Sequence, residues 1–296
     1  MKCKKIVRLH AGFGNQMFQY ALYLKLQKIN GIENVFVHNC IEPQTPNILE
    51  VFSLTPQYAS EKLIERLRDV NMSFMSRVVR KIRGRRTYYE TDKMEYEELP
   101  LSKSRSLYLY GYWQSEKYFI DIREEILRTF NLEHALMKYS QDVRDFNEER
   151  LREIKQTNSI SVHIRRGDYV QLSSKFGGIC TDKYYHEAMN YFRNKYSDAK
   201  FYIFTNDLAW AEGQEMFQAD DCKIINGNEG KNDELDMLLM SKCKHNIIAN
   251  SSFSWWGAWL NEYNEKEVIA PAKWIHTLDA SDVYCQGWKI IDGRVS

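Results

Sequence analysis

The fold is decided by residues 159–168, Ser-Ile-Ser-Val-His-Ile-Arg-Arg-Gly-Asp. The β-branched run that ends at residue 164 predicts a buried strand, and charged residues follow it at once. Apolar residues then recur at helical spacing from Tyr185 to Phe192, and a second strand-like run covers 201–204. A strand, a helix and another strand in this order predict a parallel β-α-β unit, and therefore an α/β fold.

The same alternation extends along the chain in both directions. Later strands are predicted at 222–225, 246–249 and 268–270. In the first half, strands are predicted at 5–10, 35–37 and 107–109, and helices at 15–29, 61–70 and 121–130. The charged stretch 141–155 has few apolar positions, so we place a domain boundary near residue 155. The prediction is therefore two Rossmann-like domains, 1–155 and 156–296, that face each other across a cleft.

Composition excludes several classes of protein. Lys and Arg number 41 against 40 Asp and Glu, and this net charge of +1 argues against a bulk nucleic-acid binder. The six cysteines include no C-x-x-C pair, which argues against a zinc site and a disulfide framework. No segment resembles a signal peptide or approaches the roughly 20 apolar residues that span a bilayer. We therefore expect a cytoplasmic protein with reduced thiols.

Polar residues gather at the ends of the predicted strands, where parallel sheets bind their ligands. Arg165 and Arg166 follow the strand at 159–164, and a guanidinium group can bind two phosphate oxygens at once. The alternative interpretation is an ion pair between one of these arginines and Asp168.

Ser251 and Ser252 follow the strand at 246–249 and begin a predicted helix. A helix N-terminus offers unpaired N–H groups and a favourable dipole to phosphate, although one serine can equally be only the N-cap. No Asp-x-Asp follows a strand, because Glu234-Leu-Asp236 falls on a predicted helix. Since two arginines and a helix N-terminus can neutralise a diphosphate, we expect no metal and no other cofactor.

Three other segments have both a structural and a functional interpretation. Gly12-Phe-Gly-Asn-Gln16 begins a helix after the first strand, but it lacks the third glycine of a dinucleotide fingerprint. The tryptophans of 255–260 lie at helical spacing, which is typical of a core stripe. Residues 75–89 carry a basic run without any acid, which indicates either a solvated helix or a helix on an anionic membrane.

Taken together, four segments resemble the signature blocks of the α-1,2-fucosyltransferases, glycosyltransferase family 11. They are Gly-Phe-Gly-Asn-Gln-Met-Phe-Gln-Tyr-Ala at 12–21, His-Ile-Arg-Arg-Gly-Asp at 163–168, Phe-Thr-Asn-Asp at 204–207 and Asn-Ser-Ser-Phe-Ser-Trp-Trp-Gly-Ala-Trp-Leu at 250–260. The resemblance implies a GT-B fold and an inverting, metal-independent transfer of fucose from GDP-β-L-fucose to the 2-hydroxyl of a galactoside. It also implies a bacterial enzyme of surface glycan synthesis, whose acceptor is a galactose-terminated oligosaccharide or a lipid-linked glycan.

The resemblance also assigns roles to individual residues. The C-terminal domain is expected to hold the donor and the N-terminal domain the acceptor. The residues expected at the diphosphate and the transferred sugar are His163, Arg165, Arg166, Ser251, Ser252, Gly14 and Asn15, and Asp236 is expected at the guanine.

The base that accepts the proton of the acceptor is open. Ser173 stands where related α-1,6 enzymes have a glutamate, so Asp168 is our candidate, with His186 and Asp207 as alternatives. A transferase of other linkage and a binding module without catalysis also remain alternatives.

The aromatic content, 14% of the chain, supplies candidates for acceptor binding. Tyr110, Tyr112 and Trp113 follow a predicted strand of the first domain, and we expect them to stack on the acceptor sugar.

Overall fold

The computed structural model describes residues 3–68, 87–167, 169, 172, 174–228, 230 and 232–293. The chain divides into two compact units, here called unit 1 and unit 2. Unit 1 comprises Met1–Thr129 and Ser281–Val283, and unit 2 comprises Phe130–Ala280 and Tyr284–Ser296. Asp168, Ser173 and positions 75–86 of the basic segment lie outside the described residues.

Unit 1 contains a parallel sheet with helices packed against it. Its strands are β1 (Lys5–Leu9), β2 (Val35–Asn39), β3 (Tyr88–Glu90) and β4 (Leu107–Tyr110), in the order β2-β1-β4-β3. Its helices are α1 (Phe13–Asn30), α2 (Ile48–Val51), α3 (Glu61–Arg68) and α4 (Arg123–Thr129). Short 3-10 turns lie at Ile32–Asn34, Leu99–Leu101, Glu116–Tyr118, Ile120–Ile122 and Ser281–Val283.

Helix α1 is the central helix of unit 1 and is buried along most of its length. It ends at Gly31, whose φ of 84° favours glycine and whose N–H bonds to the carbonyl of Gln27. On the sheet, Ile6 of β1 and Tyr108 of β4 form a buried cluster with Ile64 and Leu67 of α3. The amphipathic pattern of α3 therefore faces the sheet, as a surface helix requires.

Unit 2 contains a larger sheet, in which all described strand pairs are also parallel. Its strands are β5 (Asn158–Ile164), β6 (Ala199–Thr205), β7 (Cys222–Ile224), β8 (His245–Ile247), β9 (Val268–Pro271) and β10 (Lys289–Ile291). Its helices are α5 (Leu132–Leu136), α6 (Gln141–Gln156), α7 (Asp182–Lys195), α8 (Leu208–Glu212), α9 (Asp233–Lys242) and α10 (Ser252–Trp259), with a 3-10 turn at Glu215–Phe217.

The strand order of unit 2 is β10-β9-β8-β5-β6-β7. The chain runs outward from β5 to β7 on one side and then from β8 to β10 on the other, which is the doubly wound order of dinucleotide-binding domains. The direction of winding changes between β5 and β8, and ligands of such sheets bind outside the carboxyl ends at that point. The α/β class is confirmed, and two Rossmann-like units are the parts of which GT-B enzymes are built.

The core of unit 2 lies on both faces of its sheet. Strand β5 contributes Ile160 and Val162, which are fully buried together with Phe201 and Ile203 of β6. The alternate positions of β6, Tyr202 and Phe204, are buried as well, so the sheet is covered on both faces. The predicted core role of the α10 tryptophans is confirmed, because Trp255, Trp256 and Trp259 are all buried.

The division between the units differs from the boundary predicted near residue 155. It falls after Thr129, because helices α5 and α6 pack against α9 and therefore belong to unit 2. Helix α8 ends at Glu212, and Gly213 then precedes the 3-10 turn. In the described part of the chain, no helix is long and apolar enough to cross a membrane.

Candidate functional site

Three strand ends of unit 2 meet at the carboxyl edge of the sheet, where the winding changes direction. Strand β5 leads into Arg165 and Arg166, β8 leads into Asn250, and β6 leads into Asn206. The backbone N–H of Arg166 donates to Oδ1 of Asn206 at 2.8 Å, which ties two of these ends together. The predicted convergence on one edge is therefore present in the structure.

His163 is a buried residue of this edge, with only 4% of its surface exposed. Its ring lies 5.7 Å from that of Phe253, and its carbonyl accepts a hydrogen bond from the Tyr185 hydroxyl at 3.1 Å. Burial, together with the charge of Arg165, lowers the pKa of His163 to about 3. At neutral pH the imidazole is uncharged, so His163 can offer a phosphate an N–H group but no positive charge.

The two neighbouring arginines have different surroundings. Nε of Arg166 lies 3.2 Å from Oδ2 of Asp207, and its guanidinium lies 4.2 Å from the ring centre of Trp210. The Arg165 guanidinium lies 5.6 Å from the ring centre of Tyr169. Arg166 is therefore held by an acidic partner and an aromatic face.

The structure describes both alternative bases proposed from the sequence, Asp207 and His186. Oδ1 of Asp207 accepts from the backbone N–H of Trp210 at 3.2 Å and caps α8, while Oδ2 pairs with Arg166. His186 is exposed on α7 rather than at a strand end. Both oxygens of Asp207 thus have structural partners.

Helix α10 begins at the carboxyl end of β8, so its N-terminal dipole lies at the same edge of the sheet. Ser251 is the N-cap, and its Oγ accepts from the backbone N–H of Phe253 at 3.3 Å. Ser252 is the first residue of the helix and is half-buried. The capping interpretation therefore holds for Ser251, and Ser252 is the candidate for a purely ligand-directed hydroxyl.

Asn250 organises the loops around this edge, a role that sequence reasoning missed. Its side chain is buried, and Nδ2 donates to the carbonyls of Trp274 at 3.0 Å and Phe176 at 3.3 Å. Its own carbonyl accepts from the Tyr169 hydroxyl at 3.0 Å. The signal available in the sequence was an amide residue placed directly after a strand.

Asp236, the predicted guanine ligand, lies in the first turn of α9. One of its carboxylate oxygens accepts from Nδ2 of Asn228 at 2.8 Å, and Asn228 exchanges two hydrogen bonds of 2.9 Å with Asn147. Two residues earlier, the buried Glu234 accepts from the Tyr139 hydroxyl, and burial raises its pKa. The carboxylate of Asp236 is therefore oriented by a buried amide pair.

In unit 1, Gly14 and Asn15 lie in the first turn of α1, directly after β1. Oδ1 of Asn15 accepts from Nε2 of Gln114 at 2.6 Å, which orients the amide. Gln16 is fully buried and connects the carbonyls of Ala11 and Pro46 through its Nε2. This segment thus positions its own loop through side-chain amides.

A cavity of about 400 Å³ opens at the carboxyl edge of the sheet of unit 1. Its lining consists of His10, Glu90, Thr91, Asp92, Tyr110, Gly111 and Tyr112. They are the last residues of β3 and β4 and the residues that follow β1, β3 and β4, so the cavity occupies the position where a parallel sheet binds ligands. Sequence reasoning missed His10, Glu90 and Asp92, although each stands at or beside the end of a strand.

Two of the three aromatic residues predicted for the acceptor line this cavity, and the third does not. Trp113 is only 2% exposed, stacks on Tyr89 at 6.1 Å between ring centres and has a φ of 57°. The positive φ turns its side chain into the core of unit 1. The acceptor assignment is therefore kept for Tyr110 and Tyr112 alone.

The described residues include no group of three or more His, Cys, Asp or Glu side chains arranged to hold a metal ion.

Comparison with known proteins adds a family. The model of the family described as glycosyl transferase family 11 matches residues 1–292. An alpha-1,2-colitosyltransferase of Escherichia coli is 32% identical over 97% of this chain and 98% of that protein. The O-antigen biosynthesis glycosyltransferase WbnK of Escherichia coli is 30% identical over 95% of this chain and 98% of that protein. The galactoside alpha-(1,2)-fucosyltransferase 2 of Hylobates lar is 29% identical over 83% of this chain and 66% of that protein.

Proposed function

This chain belongs to glycosyl transferase family 11 and is a glycosyltransferase, and we propose that it moves L-fucose from GDP-β-L-fucose to the 2-hydroxyl of a β-galactoside. The product has an α-1,2 linkage, and the anomeric configuration of the fucose is inverted. The single observation that carries the proposal is the edge of unit 2, where Arg165 and the N-terminus of α10 lie at adjacent strand ends. The names of the relatives support the linkage and a place in O-antigen synthesis.

The proposed mechanism is one displacement at the anomeric carbon. The acceptor oxygen forms a bond to that carbon while the bond to the diphosphate oxygen breaks, through an oxocarbenium-like transition state. Negative charge grows on the departing GDP, where Arg165 and the backbone N–H groups of Ser252 and its neighbours stabilise it. The acceptor proton goes to a base, for which Asp168, outside the described residues, remains our candidate. The same groups neutralise the diphosphate, so we propose that transfer needs no metal.

Arg165→Ala tests this mechanism. Loss of one electrostatic donor to a transition state lowers the rate by about 10²–10³. Arg193→Ala is the matched control, because that arginine pairs with Asp221 before β7, at the amino edge of the same sheet. Purified protein would be assayed for GDP release and for product with and without EDTA. A variant Arg165→Ala that transfers at the rate of the parent would refute the assignment.

The donor and acceptor are tested together. GDP-fucose and the colitosyl donor would each be offered with type 1, type 2 and N-acetylgalactosaminyl-linked galactosides, and NMR would establish the linkage. Colitosyl transfer is the second candidate, since one relative carries that name at 32% identity. GDP binding without transfer to any acceptor would favour a binding module, and a different linkage would identify another class of fucosyltransferase.

We also propose that the enzyme works in the cytoplasm and touches the membrane through residues 75–89, where lipid-linked acceptors lie. The support is the composition of that segment, which is basic and contains no acid. A liposome flotation assay compares the parent with a variant neutralised at Arg80, Lys81 and Arg83. Equal flotation of the two would remove this part of the proposal.

A further inference from the structure

His10 is the buried polar residue of the cavity in unit 1. It is the first residue after β1 and is 8% exposed. Its ring meets Tyr110 edge-on at 4.8 Å and Tyr112 at 5.5 Å between ring centres. The imidazole therefore sits between two of the aromatic residues that line the cavity.

Gln19 of α1 determines which nitrogen of His10 carries the proton. Gln19 is fully buried; its Oε1 accepts from the backbone N–H of His10 at 2.9 Å, and its Nε2 donates to the carbonyl of Gly111 at 3.1 Å. A backbone N–H can only donate and a carbonyl can only accept, so the amide has one permitted orientation. In that orientation the NH₂ group faces Nδ1 of His10 at 2.9 Å. Nδ1 must accept this hydrogen bond, which leaves the proton on Nε2.

The surroundings of His10 keep its imidazole uncharged. Protonation of Nδ1 would set its N–H against the N–H of the Gln19 amide. Burial and the positive charge of Arg8 on β1 lower the pKa of His10 to about 4. From the other elements, the phenols of Tyr110 and Tyr112 and the carboxylates of Glu90 and Asp92 face the same cavity. Above pH 5 the ring is a neutral donor.

We propose that the acceptor saccharide occupies this cavity and that Nε2–H of His10 donates a hydrogen bond to one of its oxygens. The inference rests on the proposed function and adds a specificity-determining residue to it. The remaining lining suits a neutral polyol: aromatic side chains cover apolar sugar faces, and the carboxylates of Glu90 and Asp92 accept from hydroxyls. Those same carboxylates disfavour a diphosphate, and the volume of about 400 Å³ is within the range of small-molecule sites.

Gln19→Glu is the most informative variant, because a carboxylate in this place has no N–H to donate and can only accept a hydrogen bond from Nδ1–H. The neutral ring then carries its proton on Nδ1, and Nε2 ceases to be a donor. We expect the KM for the acceptor to rise about tenfold at pH 8, the effect of one lost hydrogen bond. The KM should recover as the pH falls, because the doubly protonated ring again donates from Nε2. In the parent, the KM should stay flat from pH 5.5 to 8.

Gln16→Glu is the matched control. Gln16 lies on the same helix, is equally buried and also bonds backbone groups, but its partners are Ala11, Pro46 and Ile48. Its carboxylate should change stability without making the acceptor KM depend on pH. His10→Leu covers the case in which Gln19→Glu does not fold, and should raise the acceptor KM about tenfold at every pH, again as one lost hydrogen bond.

Long-range ¹H–¹⁵N spectra of histidine-labelled protein test the tautomer without any assay of transfer. A proton on Nε2 of His10 supports the inference, and a proton on Nδ1 overturns it. The inference also fails if the parent transfers sugar while His10→Leu and any folded Gln19→Glu keep the acceptor KM of the parent. Failure of the parent to use any acceptor would instead refute the proposed function, and the tautomer would still be measured.

Discussion

Removing the hydroxyls of Ser251 and Ser252 one at a time separates helix capping from phosphate binding. Ser251 is the N-cap of α10 and is buried, whereas Ser252 is the first helical residue. The capping hydrogen bond to the N–H of Phe253 is 3.3 Å long, beyond the usual range for an N–H donor. A long capping bond can still be lost at a cost, and we expect Ser251→Ala to lower the free energy of unfolding by about 1 kcal/mol, the typical loss for a removed N-cap.

The two variants should differ in which measurement they change. A loss of about 1 kcal/mol lowers the melting temperature of a unit of this size by about 2–4 °C. Ser252→Ala removes no cap, so its melting temperature should match that of the parent. If its hydroxyl donates to a diphosphate oxygen, the Kd for GDP should rise about tenfold or more, since hydrogen bonds to charged groups are the stronger ones.

Calorimetric titration with GDP and thermal unfolding, both on the full chain, provide the two measurements. Ser254→Ala is the control, because its Oγ is buried and bonds the carbonyls of Ala249 and Ser251 at 3.4 Å each. That variant should bind GDP as the parent does. An unchanged Kd for Ser252→Ala would show that the diphosphate does not contact this hydroxyl at the N-terminus of α10.

Two further predictions concern the stability of unit 2. Burial raises the pKa of Glu234, so its folded form binds a proton more tightly than the unfolded chain, whose value is near 4.5. Stability from this group is complete below that value and is lost as the pH rises through the folded pKa. Glu234→Gln, which can still accept from Tyr139, should therefore flatten urea-unfolding stability between pH 5 and 8, and a slope equal to that of the parent would contradict this. Gly227 has a φ of 134°, and a Cβ there would lie 2.7 Å from Phe146 Cζ, so Gly227→Ala should cost about 3 kcal/mol in the same assay. Gly178→Ala, at a φ of 66° with open space, should cost only about 1 kcal/mol, and equal losses would refute the steric argument.

The strands that carry the site of unit 2 were predictable, because long β-branched runs end in polar residues. Strand β5 begins one position before its predicted start, and β6 extends its prediction at both ends. Strands β3 and β10 were missed, since each has three residues and is recognisable only by its pairing with β4 or β9. A short segment contains too few residues to show a period.

The boundary between the units could not be derived from local pattern. Helix α6 is charged and buries only Asn147, Leu151 and Ile154, so its sequence resembles that of a connecting segment. Its assignment to unit 2 follows from packing against α9, which lies far along the chain. Hydrophobic periodicity reports that a helix has a buried face, and it does not report which element covers that face.

By itself, the sequence determined the α/β class and the residues that follow each long strand, because both depend on order along the chain. The tertiary structure decided which of those residues have partners. It pairs Arg166 with Asp207, and it buries Trp113 in the core of unit 1. It also sets Gln19 against both His10 and the carbonyl of Gly111, which lies 92 positions away in the chain. These partners meet only after the sheet has formed, so no local pattern in the sequence could record them.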